Sequence, residues 1–489
     1  MPGVIVEDRD TARPRAVPTD TSVAFLSAEA QKGVDDAAIE ITSMSRATLK
    51  LGAELANSYL IPALEQFFRR GGSKAYVTRP VGPAAAKAAL ALTATGTTLT
   101  VTAESKGTWG NGAAAGLSVQ VIQGPVGGAT FRLLIILLGG VEVERTPEFQ
   151  DTVASRQAVV DWSASSDYVR ITLGGGSGIP AVAAAANLAG GVTDDVSITP
   201  TIRETALSLL HAGLGPGQVA MPGITVAQSH LDLIEHGKAF NRAPLLDGPN
   251  TTVKATLLAA TTALRAVDGA ESAAMFAPFV QIPGSAVGVT RTLPPSALLI
   301  GMIATTDRVA GVSQATAGDF GLIPDAKGLT ASFSDSDAEE LNNASVNLIR
   351  SIDGDIQVYG WRSLVDKTAE PNWWPWTTGR LAMFIRANAK AAGRRLVFRR
   401  IDGFGHLLAE FEGKLDGFMK RLWLAGELYS DPEDQRPETA YRINTGSALN
   451  TPGDLASGFL EAEIQFRPPG MAEWVTIGVV NVPITTPIS

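Results

Sequence analysis

The chain has 489 residues, 45% of them hydrophobic and 18% charged, with a formal net charge of −9. At ~150 residues per domain this suggests about three folded domains, and the chain is too apolar for a disordered one. The negative balance speaks against nucleic acid as the main partner. The absence of cysteine removes disulfides, thiolate metal sites and cysteine nucleophiles.

The opening MPGVIVEDRD places Pro2, Glu7 and Asp8 where a signal peptide needs an apolar stretch. The longest apolar run, LLIILL at 133–138, is about a third of a bilayer span. Neither export by a cleaved signal nor membrane crossing is expected. Residues 1–20 read as an extended arm: Val4, Ile5 and Val6 can form a short strand, after which Pro14 and Pro18 keep the chain open. A three-residue strand with no partner nearby in sequence must pair elsewhere, on its own subunit or another.

Residues 23–26 read as the first core strand. Leu60, Leu64, Phe67 and Phe68 then form one apolar stripe at helical spacing. Arg69 and Arg70 suit the negative end of that helix, Gly71 and Gly72 supply a left-handed stop, and 75–78 follows as a short strand. Residues 86–195 are rich in Thr, Val and Gly, a series of short β runs split by glycine turns. This is the pattern of a β-sandwich, inserted into an α/β frame. From 196 to 366, predicted strands at 219–224, 243–246, 273–282 and 356–359 alternate with predicted helices at 231–240, 252–267 and 337–352. That alternation implies a doubly wound, mainly parallel sheet completed by 23–26 and 75–79. Residues 367–473 read as an α+β unit with helices at 378–395 and 417–425 and strands at 441–444 and 458–467. A last strand at 474–482 opens a C-terminal arm, 474–489. The domains are thus predicted as 1–20, 21–85, 86–195, 196–366, 367–473 and 474–489.

Little in the sequence carries catalysis. His230 and His236 are six residues apart, off the i,i+4 spacing of a helical metal pair, and His211 and His406 stand alone. There is no Gly-x-Ser-x-Gly elbow and no Walker A sequence, and no carboxylate dyad is nominated. No cofactor is expected. The cluster Trp361, Trp373, Trp374 and Trp376 can stack a ligand or pack a domain junction, and the junction is the favoured reading. Residues 379–400 carry Arg380, Arg386, Lys390, Arg394, Arg395, Arg399 and Arg400 with no acidic residue. They are either a solvated helix face or a surface complementary to an acidic partner.

The wording FF-RR-GG-SKAYVTR at 67–79 resembles the FF-x-NGG-x-x-AYVVR segment of contractile tail sheath proteins, with Arg70 where that family often has Asn. Four further stretches resemble the family in its order. They are the GTWGN turn at 107–111, LAGG-VTDD at 188–195, AAMFAPFVQI with RTLPPSALLIGMIATTDRVAGV across 273–312, and the C-terminal PPGMAEW with its following strand. Phe279 and Ala297 replace a Trp and a Gly of the family pattern, and Ile401-Asp402-Gly403 stands where its Asn-Asp would be.

The resemblance implies a structural subunit, not an enzyme. Such subunits polymerise around an inner tube and contract to drive it through a cell envelope. The implied partners are identical subunits, the inner tube protein, the baseplate and the tail terminator, in a virion assembled in a bacterial cytoplasm, with no direct nucleic acid and no membrane insertion. It also implies that the arms exchange strands with neighbours, through Val4, Ile5 and Val6 at one end and Trp474, Val475, Ile477 and Val479 at the other. The 379–400 segment becomes a candidate inner-tube contact, at Arg386, Lys390, Arg394 and Arg395. Another virion component, in a capsid or baseplate, is the alternative, with an α/β hydrolase further behind.

Overall fold

A computed structural model describes residues 21–113, 115–284 and 288–472. They fall into two compact units, within 1–390 and within 391–489.

Among the described residues the first unit is built on an eight-stranded sheet. Its spatial order is Asp355–Val358, Val346–Ile352, Ala274–Ala277, Ala243–Asp247, Gln218–Ala220, Ala24–Ser27, Ala75–Thr78, Ile39–Ile41. The six inner strands run parallel and the two edge strands antiparallel. Crossovers that leave Ala24–Ser27 in both directions put helices on both faces. Phe25, Val219, Leu246 and Met275 share one core with Leu207, Leu233 and Ile234 of the helices Pro200–Ser208 and Ala227–Phe240. The other face carries Leu60–Arg69 and Pro295–Val309, which approach so closely that a Cβ on Gly301 would lie 2.8 Å from the Gln66 carbonyl oxygen.

Several predicted elements differ. The stretch 337–352 is a helix, Asp335–Asn343, followed by the central strand Val346–Ile352. Ser345 between them sits at φ +62, a left-handed residue no helix continues through. The run 273–282 is two strands in two sheets, Ala274–Ala277 and Val280–Pro283, divided at Pro278. The expected 458–467 strand shortens to Glu463–Phe466, and the helix Pro295–Val309 runs through a stretch for which no helix was predicted.

The glycine pair of the 67–79 segment has a steric cause. Gly71 is left-handed at φ +84 and closes the helix, while a Cβ on Gly72 would lie 2.4 Å from the ring of Phe67. Phe67 is fully buried, so the ring over Gly72 fixes where the chain turns into Ala75–Thr78.

Residues 86–192 form two sheets around one core. The three-stranded sheet joins Ala89–Ala94, Gly96–Ala103 and Val169–Leu173; the four-stranded one joins Ala183–Asn187, Leu117–Gly124, Gly128–Leu138 and Val141–Arg145. Leu99, Val101, Val119, Leu134 and Phe149 fill the space between them. The module leaves and rejoins the frame through a narrow stalk, where Ala86 and Val192 exchange both backbone hydrogen bonds at 3.0 Å. Its base is clasped by Arg79, buried and donating to the carbonyls of Ala30, Gly33 and Lys106. Lys32 lies between the rings of Trp109 and Tyr168, at 5.1 and 4.8 Å. The two turn motifs of the module meet here: Asn111 makes both of its amide hydrogen bonds, 2.8 Å each, to the backbone of Gly191.

The second unit contains the helix His406–Leu424 and a two-stranded antiparallel sheet of Tyr441–Asn444 and Glu463–Phe466. Tyr441 donates to Asp416 of that helix at 2.8 Å, and burial together with the Asp416 carboxylate raises its hydroxyl pKa. The helix Trp376–Arg394 runs from the first unit into the second.

Candidate functional site

In doubly wound sheets, ligands sit beyond the carboxyl ends of the strands where the order reverses. Here that place lies between Ala24–Ser27 and Gln218–Ala220, and the chain fills it with its own side chains. Glu29 pairs with Arg203, both nearly shielded from solvent, and the Tyr59 ring covers Gly223. Asp247 accepts from the backbone N–H groups of Gly223 and Ser296 at 2.8 Å and from the Ser296 hydroxyl at 2.6 Å. Complete burial pushes its pKa up to about 6.

The histidines do not reach this group. His230 bonds the Ile224 carbonyl, and burial lowers its pKa to about 4. His236 faces Arg242 at 2.7 Å, and burial plus that cation lower it to about 3. Both are therefore neutral packing groups at pH 7. Among the described residues no His, Cys, Asp or Glu cluster could hold a metal. Nor do the tryptophans offer a stacking platform. Trp361, Trp374 and Trp376 are buried within the first unit, with Trp361 and Trp376 4.8 Å apart and each 5.8 Å from Phe276, so they pack its interior.

The sequence-predicted arm residues Val4, Ile5, Val6, Trp474, Val475, Ile477 and Val479 lie outside the described residues. The residue that follows the predicted N-terminal arm does not. Thr21 is buried and donates to Asp307 at 2.8 Å, and Arg380 donates to both Asp307 oxygens at 2.7 Å. Arg380 is thus an interior ion pair and no part of a basic surface.

In the second unit, the two-stranded sheet has no strand beyond either edge among the described residues. Arg467 donates to Ala440 across the pair, so by alternation the peptide groups of Arg442 and Gln465 face each other. Those of Tyr441 and Ile443, and of Ile464 and Phe466, then point outward along the two edges. A short sheet of this kind is marginal by itself, and its open edges are the kind that strand addition uses.

Arg386, Lys390 and Arg394 recur at i,i+4 along Trp376–Arg394, and Arg395 follows; all four are exposed and make no ion pair among the described residues. Arg399 is paired with Glu410 at 2.6 Å. Sequence reasoning passed over Phe398 and Phe404, which are 104% and 88% exposed, Phe398 at a left-handed φ of +66. The available signal was two phenylalanines among arginines with no apolar partners at helical or strand spacing. Arg69 and Arg70, at the C-terminal end of their helix, both pair with Asp325 of their own chain.

No family model matches the chain, and no curated protein does. Solved structures do. A sheath tail protein of Listeria innocua superposes with a TM-score of 0.62 at 15% identity, over 89% of this chain and 91% of that one. A sheath tail protein of Desulfitobacterium hafniense gives 0.58 at 15%, over 91% and 93%. A sheath complex of an extracellular contractile injection system, in its contracted state, gives 0.57 at 16%, over 98% and 97%. Through the inserted β module and into the second unit, the chain has the fold of the contractile tail sheath proteins.

Proposed function

We propose that this chain is the structural subunit of a contractile sheath, polymerising around an inner tube and contracting to drive that tube through a target envelope. The supporting observation is the near end-to-end match to a chain of a contracted sheath complex, 98% of this chain and 97% of that one. No nucleotide-binding sequence is present, so the work comes from assembly: rigid domains packed in a metastable arrangement and repacked on contraction. The sheet edges at Ile443 and Ile464 accept the arms of neighbours, one strand from each end of the chain. Each backbone hydrogen bond contributes only ~0.5–1.5 kcal/mol net, but heterologous contacts propagate without closing, and the small gain repeats along a tube.

Arg386, Lys390, Arg394 and Arg395 face the inner tube protein, whose complementary surface is acidic. The baseplate and a tail terminator bound the polymer, which belongs to a virion or a related extracellular particle assembled in a bacterial cytoplasm.

Negative-stain microscopy of the purified chain tests the reading: hollow tubes of uniform width are expected, and monodisperse small particles under all assembly conditions overturn it. Deleting residues 1–20 should leave a folded subunit that forms no tubes; normal tubes from that deletion refute arm exchange.

A further inference from the structure

The closing turn of the 67–79 segment borders an open cleft of about 490 Å³ in the first unit. One wall is cationic. Arg69 and Arg70 share the single carboxylate of Asp325, and Arg308 donates to the Gly71 carbonyl at 2.9 Å. Asp319 is the one acid on the lining itself, so even with Asp325 behind Arg69 and Arg70 three guanidinium groups stand against two carboxylates. The Arg70 Nε is shielded from solvent and has no acceptor. The opposite wall is apolar: Met302, Val309, Phe320 and Leu322, with Val309 70%, Phe320 43% and Leu322 37% exposed. A wall of exposed apolar side chains beside under-neutralised arginines fits an extended segment that is apolar at one end and acidic at the other.

The chain carries such a segment. Residues 4–10 read VIVEDRD: three β-branched residues, then Glu7, Asp8, Arg9 and Asp10, net −2. Its tether begins at the right element, since Thr21 is bonded to Asp307 of Pro295–Val309, the helix that also supplies Met302, Thr305, Arg308 and Val309. Ten intervening residues reach roughly 33–36 Å when extended. The whole helix is only ~22 Å long at 1.5 Å per residue. Tethering at this distance holds the segment at an effective concentration in the millimolar range.

We propose that the Arg70–Arg308–Phe320 cleft is the docking site of residues 4–10 of the same chain before assembly, with Val4, Ile5 and Val6 on the Val309–Phe320 wall and Glu7 and Asp8 against the arginines. It rests on the arm-exchange reading and deepens it. A segment built to pair with a neighbour's sheet edge is a liability in a free subunit, and the cleft covers it.

The cysteine-free chain makes the test clean. In the full-length protein, Val6→Cys with Phe320→Cys should close an intramolecular disulfide under mild oxidation at low protein concentration. It should form about tenfold faster than the control pair Val6→Cys with Val126→Cys, whose second site is 92% exposed on the inserted module. Adding Arg308→Glu should slow the first pair severalfold and leave the control unchanged. Equal rates for the two pairs, disulfides formed only between chains, or indifference to Arg308→Glu would each overturn the proposal. Loss of the disulfide in a chain that still forms tubes removes the docking and leaves arm exchange standing; tubes from the 1–20 deletion remove arm exchange itself.

Discussion

The two sheets at opposite ends of this chain solve the problem of the exposed edge in opposite ways. The eight-stranded sheet is closed at both margins by short antiparallel strands, Ile39–Ile41 and Asp355–Val358, and buried by helices on both faces. The two-stranded sheet has bare margins among the described residues and rests on one helix through Tyr441. The first is complete within one subunit. The second is marginal by itself, and in the proposed arm exchange a neighbour's strand completes it.

The largest expected effect breaks the closed region. Arg380→Met leaves Asp307 buried without its cation, and should cost the first unit about 3–5 kcal/mol in urea unfolding. A loss below ~1 kcal/mol would show that Asp307 is compensated by other groups. Acid should strike the same region next. The folded pKa of His230, near 4, lies below its ordinary value of 6.5, so the native state binds fewer protons than the unfolded one across that window. Its stabilisation is full above pH 6.5 and is lost as pH falls toward 4, about 3 kcal/mol in all. His236, near 3, acts in the same direction. Asp247, raised to about 6 from 3.8, acts in the opposite one: its contribution is present below 3.8 and lost as pH rises through 6. Two histidines outweigh one carboxyl, so unfolding free energies at pH 7.5, 5.5 and 4.5 should fall, and His230→Gln should flatten the decline. An unaltered slope in that variant would place the titration elsewhere.

The open region should respond differently. Ile464→Pro removes a donor that faces the outer edge and leaves the ladder between Arg442 and Gln465 intact, so subunit stability should change by no more than about 1 kcal/mol. Tube formation should nevertheless be lost, as read by sedimentation. Unimpaired tubes would assign neighbour pairing to the Ile443 edge alone. The smallest effect on the subunit belongs to Arg394→Glu with Arg395→Glu, exposed positions worth less than ~0.5 kcal/mol to stability. Co-sedimentation with tube protein at low salt should drop sharply, and sheath-only polymers should persist. Equal co-sedimentation would exclude the basic helix as the tube contact.

The sequence announced the closed region better than the open one, for a physical reason. Parallel strands buried on both faces are short continuous apolar runs, and Ala243–Asp247 and Ala24–Ser27 stood out as such. Where two elements abut without a polar break, the pattern blurred. Ala338 and Leu341 share an interior with Val346 and Leu348, so helix and strand read as one amphipathic stretch until Ser345 turned left-handed. Basic residues were equally ambiguous: Arg380 and Arg386 look alike in the sequence, yet one is fully buried on Asp307 and the other exposed. Only the partner's position separates them, and it is 73 residues away.

The stalk at Ala86 and Val192 has a practical consequence. Two chain ends held by a reciprocal pair of backbone hydrogen bonds form a socket, and whatever is plugged into it need not take part in the packing of the eight-stranded sheet. Arg79 would keep its bonds to Ala30 and Gly33 if the module were exchanged, surrendering only the one to Lys106. A foreign domain whose termini lie side by side could therefore be spliced at this point, and if the chain polymerises as proposed, the assembly would display one copy per subunit at regular intervals, a ruler in protein form.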